Sequence, residues 1–274
     1  MKVTIVGTGL IGGAVAKAAR AHRAASELIG VEPNAEHAEL ALEEGVVDRI
    51  EPTVPADADL IVLACPSDLV AGWVQSLASH SGVICDVGSV KAPIVDALQR
   101  DGGLPPRFVP SHPIAGSERS GPAHAPADLF DQRLVVLTPE PQTDAAALAA
   151  VTEFWQALGA ETSVLSSAEH DRILALTSHL PHYLAYAFML QVDEPALALS
   201  GGGFSDFTRI AAANPDMWWR IFTMNRAALD AALDEFEANL AELRAALAAD
   251  DEATGLALLR QAARRRQQLT PPET

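Results

Sequence analysis

The sequence predicts an α/β domain with a doubly wound, mostly parallel sheet, followed by an all-helical domain. Residues 3–6 (VTIV) are a β-branched run that ends in a glycine-rich turn, which is typical of a buried strand leading into a helix. Strand and helix patterns then alternate as far as residue 165. From about Ala168 onward strand patterns almost vanish, and helical repeats of Ala, Leu, Glu and Arg take over.

We therefore predict a sheet domain over residues 1–166 and a helical domain over residues 167–274. The predicted strands are residues 3–6, 27–32, 46–50, 59–65, 82–87, 107–109, 133–137 and 161–165. We expect residues 133–137 to continue the same sheet. The predicted helices are residues 10–22, 34–44, 145–158, 173–191, 217–248 and 252–268, with Asn34 capping the second of them.

The composition narrows the classes of function. A net charge of −17 argues against nucleic acids and anionic membranes as partners. No apolar run reaches the length of a membrane span, and the N-terminal run already serves as the first strand, so we predict a cytoplasmic protein. Cys65 and Cys85 end predicted buried strands, which favours reduced core thiols, and we predict no metal site.

The segment Gly7-Thr8-Gly9-Leu10-Ile11-Gly12 has the spacing of a dinucleotide-binding turn. Its glycines permit the tight turn, the approach of a pyrophosphate and close packing of helix on strand. Glu32 ends the second strand, where a carboxylate accepts hydrogen bonds from the adenosine ribose and repels a 2′-phosphate. The sequence thus predicts a Rossmann domain that prefers NAD. The residues predicted to bind the cofactor are Gly7, Thr8, Gly9, Leu10, Ile11, Gly12, Glu32, Pro66 and Ser67.

Polar residues follow the fourth, fifth and sixth predicted strands, at the edge where such sheets bind ligands. His112 follows the sixth strand, and the ordinary pKa of histidine suits proton transfer near neutrality. The sequence also allows a histidine that merely packs against Pro113. Residues 116–126 are rich in proline and glycine and are a candidate lid.

The helical domain contains a second group of candidates. His179 and His182 share a helix face and could bind metal, but no third ligand is evident, so a polar patch lining a cavity is favoured. Arg209 lies in an apolar helical segment and needs a carboxylate partner from the protein or a ligand. Residues 201–203 are three glycines, which indicate either close approach of the backbone to a ligand or neighbour, or a flexible connector.

Together these motifs resemble those of the prephenate dehydrogenase family, which includes arogenate and cyclohexadienyl dehydrogenases. The matching segments are residues 7–12, 86–91, 112–116, 178–182, 201–204, 207–210 and 214–218, in order along almost the whole chain. The resemblance implies NAD-dependent oxidative decarboxylation of prephenate to 4-hydroxyphenylpyruvate, in tyrosine biosynthesis. It also implies a homodimer, and we expect neither a fused chorismate mutase nor a C-terminal regulatory domain.

The resemblance further implies roles for single residues. His112 would take the proton of the ring hydroxyl, and Ser89 would help orient both groups. Arg209 would bind the ring carboxylate, with His182 near the substrate's side chain. The other residues implied to bind substrate are His179, Glu118 in a gating loop, Gly202 and Trp218, the last two partly from the partner subunit.

Three alternatives stay open. An arogenate or dual-specificity cyclohexadienyl dehydrogenase would share these motifs and form tyrosine from arogenate. A 3-hydroxyacid or 6-phosphogluconate type of dehydrogenase shares the architecture, but its lysine-on-helix pattern is not evident. A non-catalytic protein that senses dinucleotides would need no general base.

Overall fold

The computed structural model describes residues 1–116 and 121–269. The chain divides into two compact units, residues 1–226 and residues 227–274. The predicted division at residue 166 marks a different feature, a change of secondary structure, and it stays a prediction. Within the described ranges every strand ends before residue 165. None of the helices in these ranges combines the length and apolar character needed to cross a lipid bilayer.

A six-stranded parallel sheet forms the centre of the first unit. In chain order its strands are β1 (Lys2–Val6), β2 (Glu27–Val31), β3 (Arg49–Ile50), β4 (Leu60–Leu63), β5 (Val83–Asp86) and β6 (Phe108–Val109). The spatial order is β3-β2-β1-β4-β5-β6, with every neighbouring pair parallel. The connecting helices are α1 (Leu10–Ala21), α2 (Ala35–Glu43), α3 (Ser67–Ser76) and α4 (Ala92–Arg100). The doubly wound sheet is therefore confirmed, and its strand order reverses between β1 and β4.

A second sheet has three strands: β7 (Ser111–Pro113), β8 (Leu134–Leu137) and β9 (Glu161–Val164). Helix α5 (Ala145–Ala157) joins β8 to β9. The prediction that residues 133–137 continue the first sheet is wrong, because β8 pairs with β7 and β9 instead. Pro110 has no N–H and separates β6 from β7, and its carbonyl accepts from Thr138 N at 2.9 Å. His112 thus lies inside β7, opposite Val136, and not at the end of β6.

Apolar layers cover both faces of the first sheet. Leu60 and Val62 of β4 pack in a layer with α1 and α5, while Ile61 and Leu63 pack in a layer with α3 and α4. Successive strand residues point to opposite faces, so a continuous apolar strand requires cover on both sides. This packing fixes the carboxyl ends of the strands, where the candidate site lies.

The helices that follow β9 begin earlier than predicted. They are α6 (Ser167–Leu174), a π-helical turn (Ala175–His179), α7 (Leu180–Met189), α8 (Glu194–Ala198), α9 (Gly202–Thr208), a 3-10 turn (Arg209–Ala212) and α10 (Pro215–Met224). The first of these helices was predicted to start at residue 173, but Ser166 caps α6 by accepting from Glu169 N at 3.2 Å. The π-helical turn ends two residues before Pro181, which lies in the first turn of α7.

Two long helices follow α10, namely α11 (Arg226–Ala248) and α12 (Glu252–Gln267). Asp251 caps α12 by accepting from Thr254 N at 3.1 Å. Several of their leucines are exposed, namely Leu240, Leu243, Leu247, Leu256 and Leu259. These helices therefore expose several apolar side chains.

Candidate active site

The glycine-rich turn depends on close backbone approach. Gly7 has φ of +93°, and a Cβ there would lie 2.7 Å from the carbonyl oxygen of Ala64. A Cβ on Gly12 would lie 1.9 Å from the carbonyl oxygen of Gly7, so only glycine fits. At Gly9, the N-cap of α1, no described atom lies within 4 Å of the Cβ position. The space in front of the first turn of α1, which begins with Leu10 and Ile11, is therefore open at Gly9.

Glu32 is held beside this turn at the end of β2. Its Oε2 accepts from Thr8 N at 2.7 Å and from Thr8 Oγ1 at 3.2 Å, and its Oε1 accepts from Asn34 N at 2.9 Å. Pro66 and Ser67 follow strand β4, which pairs with β1, and Pro66 is the N-cap of α3. The start of α1, the start of α3 and the carboxylate thus share one edge of the sheet. This arrangement fits the pyrophosphate and ribose of a dinucleotide.

A buried ion pair lies at the end of β5. Asp86 and Lys91 are both fully buried, and the Lys91 ammonium pairs with Asp86 Oδ2. Lys91 Nζ also donates to the carbonyl oxygen of Ser111 at 2.8 Å, and Ser111 N donates to Asp86 Oδ1 at 3.0 Å. The ion pair therefore links the end of β5, through its two hydrogen bonds to Ser111, to the first residue of β7, next to His112.

Two residues of α6 join His112 to this cluster. His112 Nδ1 lies 2.8 Å from His170 Nε2, and His170 Nδ1 lies 2.7 Å from Asp171 Oδ1. The Asp171 carboxylate also accepts from Lys91 N and Ala92 N, each at 2.8 Å, at the start of α4. A carboxylate at a helix N-terminus is stabilised by the free N–H groups and the helix dipole.

His112 is held in its neutral form. Its pKa is lowered well below the ordinary histidine value, chiefly by burial and further by electrostatic interaction with His170, Lys91 and His179. In the described part of the chain no hydrogen-bond partner is seen for Nε2 of His112. A neutral imidazole can accept a proton at one nitrogen while the other nitrogen is hydrogen-bonded.

The network continues toward the helical candidates. Asn225 Nδ2 lies 2.9 Å from the carbonyl oxygen of Asp171 and 3.0 Å from Nδ1 of His179. The ring of His179 is edge-on to Trp218, with centroids 6.1 Å apart, and Trp218 stacks on His182 at 3.6 Å. Burial lowers the pKa of His179 to about 4. Trp218 thus packs on His182 of its own chain.

Arg209 lies near His182. Burial lowers the pKa of His182; the hydrogen bond to the Ser178 carbonyl opposes this, and the Arg209 charge lowers the pKa further. The Arg209 side chain is exposed at the start of its 3-10 turn. A line of side-chain contacts therefore runs from His112 through Asn225 and Trp218 to His182, and the Arg209 charge acts on that last ring.

The remaining predicted residues are less closely tied to this line. Ser89 is partly buried between β5 and α4, and the structure describes no hydrogen bond from it to His112. Gly202 begins α9, and no described atom lies within 4 Å of its Cβ position, so nothing in the described chain requires glycine there. Glu118 lies outside the described residues. The predicted roles of these three residues stay predictions.

Three residues of the network were missed from the sequence, namely His170, Asp171 and Asn225. The capping pattern Ser166–Glu169 would have placed the start of α6 correctly, and with it His170 and Asp171. No local pattern marks Asn225, which ends α10. Among the described residues, no group of three or more His, Cys, Asp or Glu side chains is placed to hold a metal ion.

Comparison with known proteins adds independent evidence. The family model for the nucleotide-binding domain of prephenate dehydrogenase matches residues 15–164, and the model for its dimerization domain matches residues 166–261. The cyclohexadienyl dehydrogenase of Zymomonas mobilis is 37% identical over 268 residues, which cover 91% of this chain and 89% of that protein.

Two crystal structures of the family resemble the whole chain. The prephenate dehydrogenase of A. aeolicus in complex with hydroxyphenyl propionate and NAD+ has a TM-score of 0.90 at 30% identity, covering 98% of this chain and 99% of that one. The arogenate dehydrogenase of Synechocystis has a TM-score of 0.82 at 28% identity, with the same coverage. The glycine-rich turn, the His112 network and these matches agree, and the chain belongs to the prephenate dehydrogenase family.

Proposed function

We propose that this protein catalyses the NAD-dependent oxidative decarboxylation of prephenate to 4-hydroxyphenylpyruvate. The observation that carries the proposal is His112, a neutral imidazole hydrogen-bonded at Nδ1, from which a series of side-chain contacts leads to His182, on which the Arg209 charge acts. A proton acceptor and a cation suit a substrate that carries both a hydroxyl and a carboxylate on its ring. Family membership supports the same reaction class.

The cofactor would be held by the first turn of α1, by Glu32 and by the start of α3 at Pro66 and Ser67. Bound there, NAD supplies the acceptor for the hydrogen and electron pair that leave the ring carbon. The acidic chain needs a local cation to hold a dianionic substrate, and Arg209 supplies it. Glu32, which is already oriented by Thr8 N, would accept from the ribose hydroxyls.

His112 Nε2 would accept the proton of the ring hydroxyl as the carbon–hydrogen bond breaks. Arg209 would hold the ring carboxylate, which leaves as carbon dioxide while the ring becomes aromatic. His179, His182 and Trp218 would line the part of the pocket that takes the substrate's side chain. Ser89, Gly202 and Glu118 would complete the pocket in the roles implied by the resemblance. Because aromatisation is strongly favourable, the protein mainly aligns the ring and removes one proton.

The direct test is to add prephenate and NAD to the purified protein and to follow absorbance of the reduced cofactor. Stoichiometric 4-hydroxyphenylpyruvate is the expected product, which chromatography would identify. If the cofactor binds and neither prephenate nor arogenate is oxidised, the proposed function is wrong, and a dinucleotide sensor or another type of dehydrogenase takes its place.

Arogenate is the second candidate substrate. It is favoured by the 37% identity to a protein named cyclohexadienyl dehydrogenase and by the likeness to an arogenate dehydrogenase structure. The same assay with arogenate measures the ratio of the two kcat/KM values. A ratio near one would make the protein a dual-specificity cyclohexadienyl dehydrogenase, and strong preference for arogenate would replace prephenate as the substrate.

We also propose a homodimer. Leu190, Leu199 and Trp219 are 90%, 89% and 67% exposed, which is costly for an isolated chain. The match of residues 166–261 to a dimerization domain supports a second copy as the cover. Sedimentation of the purified protein should give twice the monomer mass of 28.9 kDa.

Mixing of subunits tests whether the site is shared between the chains of such a dimer. His112→Asn and Trp218→Ala variants, each largely inactive, would be refolded together. If Trp218 completes the partner's site, each hybrid regains one working site. If hybrids form without activity, each chain builds its own site, which the stacking of Trp218 on His182 of the same chain would explain.

A further inference from the structure

Two residues directly behind His112 have no assigned role in the proposed reaction. His170 is fully buried and Asp171 is 3% exposed, although aspartate is among the residue types least often buried. His170 bridges the His112 ring and the Asp171 carboxylate, at 2.8 Å and 2.7 Å. Buried polar groups in such a row must match donors with acceptors.

Matching donors with acceptors fixes the protons along this row. An ionised carboxylate only accepts, so the proton of His170 lies on Nδ1. In the arrangement proposed here the His170 ring is neutral, so its Nε2 carries a lone pair that accepts from Nδ1–H of His112. His112 is left as the Nδ1–H tautomer, with its lone pair on Nε2.

We infer that His170 and Asp171 are positioning residues, which hold His112 in the one tautomer that can accept a proton at Nε2. The inference rests on the proposed function, in which His112 is the base. A proton on Nε2 would make that nitrogen a donor and would leave two lone pairs facing each other between His112 and His170. The second histidine therefore sets the direction of proton transfer without touching the substrate.

The carboxylate is itself fixed from two sides, as such a role requires. Lys91 N and Ala92 N bind both of its oxygens from the start of α4, and Asn225 holds the Asp171 carbonyl. Its orientation is therefore independent of His170. The Asp171 carboxylate is therefore already oriented to accept the hydrogen bond from His170 Nδ1. The two imidazole rings then have one arrangement of their protons.

The test compares His170→Phe with His170→Gln. Phenylalanine fills the space and removes the acceptor, whereas glutamine places a carbonyl oxygen near the position of Nε2. We expect His170→Phe to lower kcat roughly 10²-fold, with the KM for NAD unchanged, because the base then samples the wrong tautomer. His170→Gln should recover much of that loss, and Arg172→Gln, an exposed change on the same helix, should leave kcat unaltered.

Ring nitrogen NMR tests the tautomer without turnover. In protein labelled with 15N-histidine, the signals of His112 are those lost in His112→Asn. The expected spectrum has a protonated Nδ1 and a lone pair at Nε2. A proton on Nε2, or equal loss of kcat in the Phe and Gln variants, would overturn the inference.

The two proposals fail in different ways. A wild-type protein that oxidises neither substrate would reject the proposed function, while the spectrum would still decide the tautomer. If His170→Phe does not fold, the wild-type spectrum and the activity of His170→Gln decide the matter. A Gln variant that melts like the wild type but has no activity would then count against the inference.

Discussion

At the glycine-rich turn the contacts come mostly from the backbone, whereas around His112 they come from buried side chains. Gly7 and Gly12 are needed because carbonyl oxygens lie where a Cβ would be, and Glu32 is held by two backbone N–H groups. Around His112 the groups are one further imidazole, two carboxylates and an ammonium. A site for a large anion uses dipoles that many sequences provide, while a proton acceptor needs specific ionisable groups in fixed positions.

The largest expected effect follows removal of the proton acceptor. His112→Asn should lower turnover about 10²–10⁴-fold, the usual contribution of a general base, with little change in NAD affinity. Turnover and cofactor titration measure the two quantities. His22→Asn, an exposed histidine at the end of α1, is the control. Near-normal turnover in His112→Asn would make this histidine structural only.

The buried ion pair should matter most for folding. Lys91→Met leaves the Asp86 carboxylate buried without its cation, which typically costs about 3–5 kcal/mol of unfolding free energy. Urea denaturation measures this loss. Lys2→Met removes an exposed ion pair and should change stability little. Equal and small losses of unfolding free energy in the two variants would show that the buried ion pair of Lys91 stabilises the fold no more than the exposed ion pair of Lys2.

Arg209 should act on binding. Loss of a charge-assisted hydrogen bond costs about 1.5–3 kcal/mol, so Arg209→Gln should raise the KM for substrate roughly tenfold to a hundredfold. Steady-state kinetics test this, with a melting curve to show that the variant is folded. Arg20→Gln, which removes an exposed pair with Asp48, is the control. An unchanged KM would remove Arg209 from the pocket.

Stability should fall in mild acid because of buried neutral histidines. The pKa of His179 is about 4 in the folded protein and about 6.5 in an unfolded chain, so the unfolded chain binds more protons between these values. From pH 7.5 to pH 5 this residue alone removes about 2 kcal/mol, and His112 acts in the same direction. In the His179→Asn variant, whose side chain can still accept from Asn225, the midpoint of urea unfolding should depend less on pH. An equally steep dependence in this variant would assign the loss to other groups.

The smallest effect is expected at the glycine-rich turn, where Glu32 lies. Glu32→Gln removes the charge that repels a 2′-phosphate and should narrow the preference for NAD over NADP by about tenfold. The ratio of kcat/KM with the two cofactors measures it. Glu36→Gln, an exposed change in the first turn of α2, should leave the ratio as it was. Comparable efficiency with both cofactors in the wild type would refute the role of Glu32.

The two regions also differ in how well they could be predicted. The turn and Glu32 lie within 26 residues of sequence, and their spacing is itself the signal. The second sheet was missed because β8 is an apolar run like those of the first sheet, and only Pro110 and the pairing with β7 show that it leaves that sheet. His170 and Asp171 were missed because the start of α6 was placed six residues too late.

By itself the sequence determined the parallel sheet, the glycine-rich turn, the carboxylate of Glu32 and the helical second half, because each depends on patterns within one or two neighbouring elements. Tertiary structure alone decided which partners surround His112. Its contact with His170 joins residues 58 positions apart, and that of Lys91 with Asp171 joins residues 80 apart. Strand and helix preferences act over a few residues, whereas a buried hydrogen bond is set by which elements the core packs together.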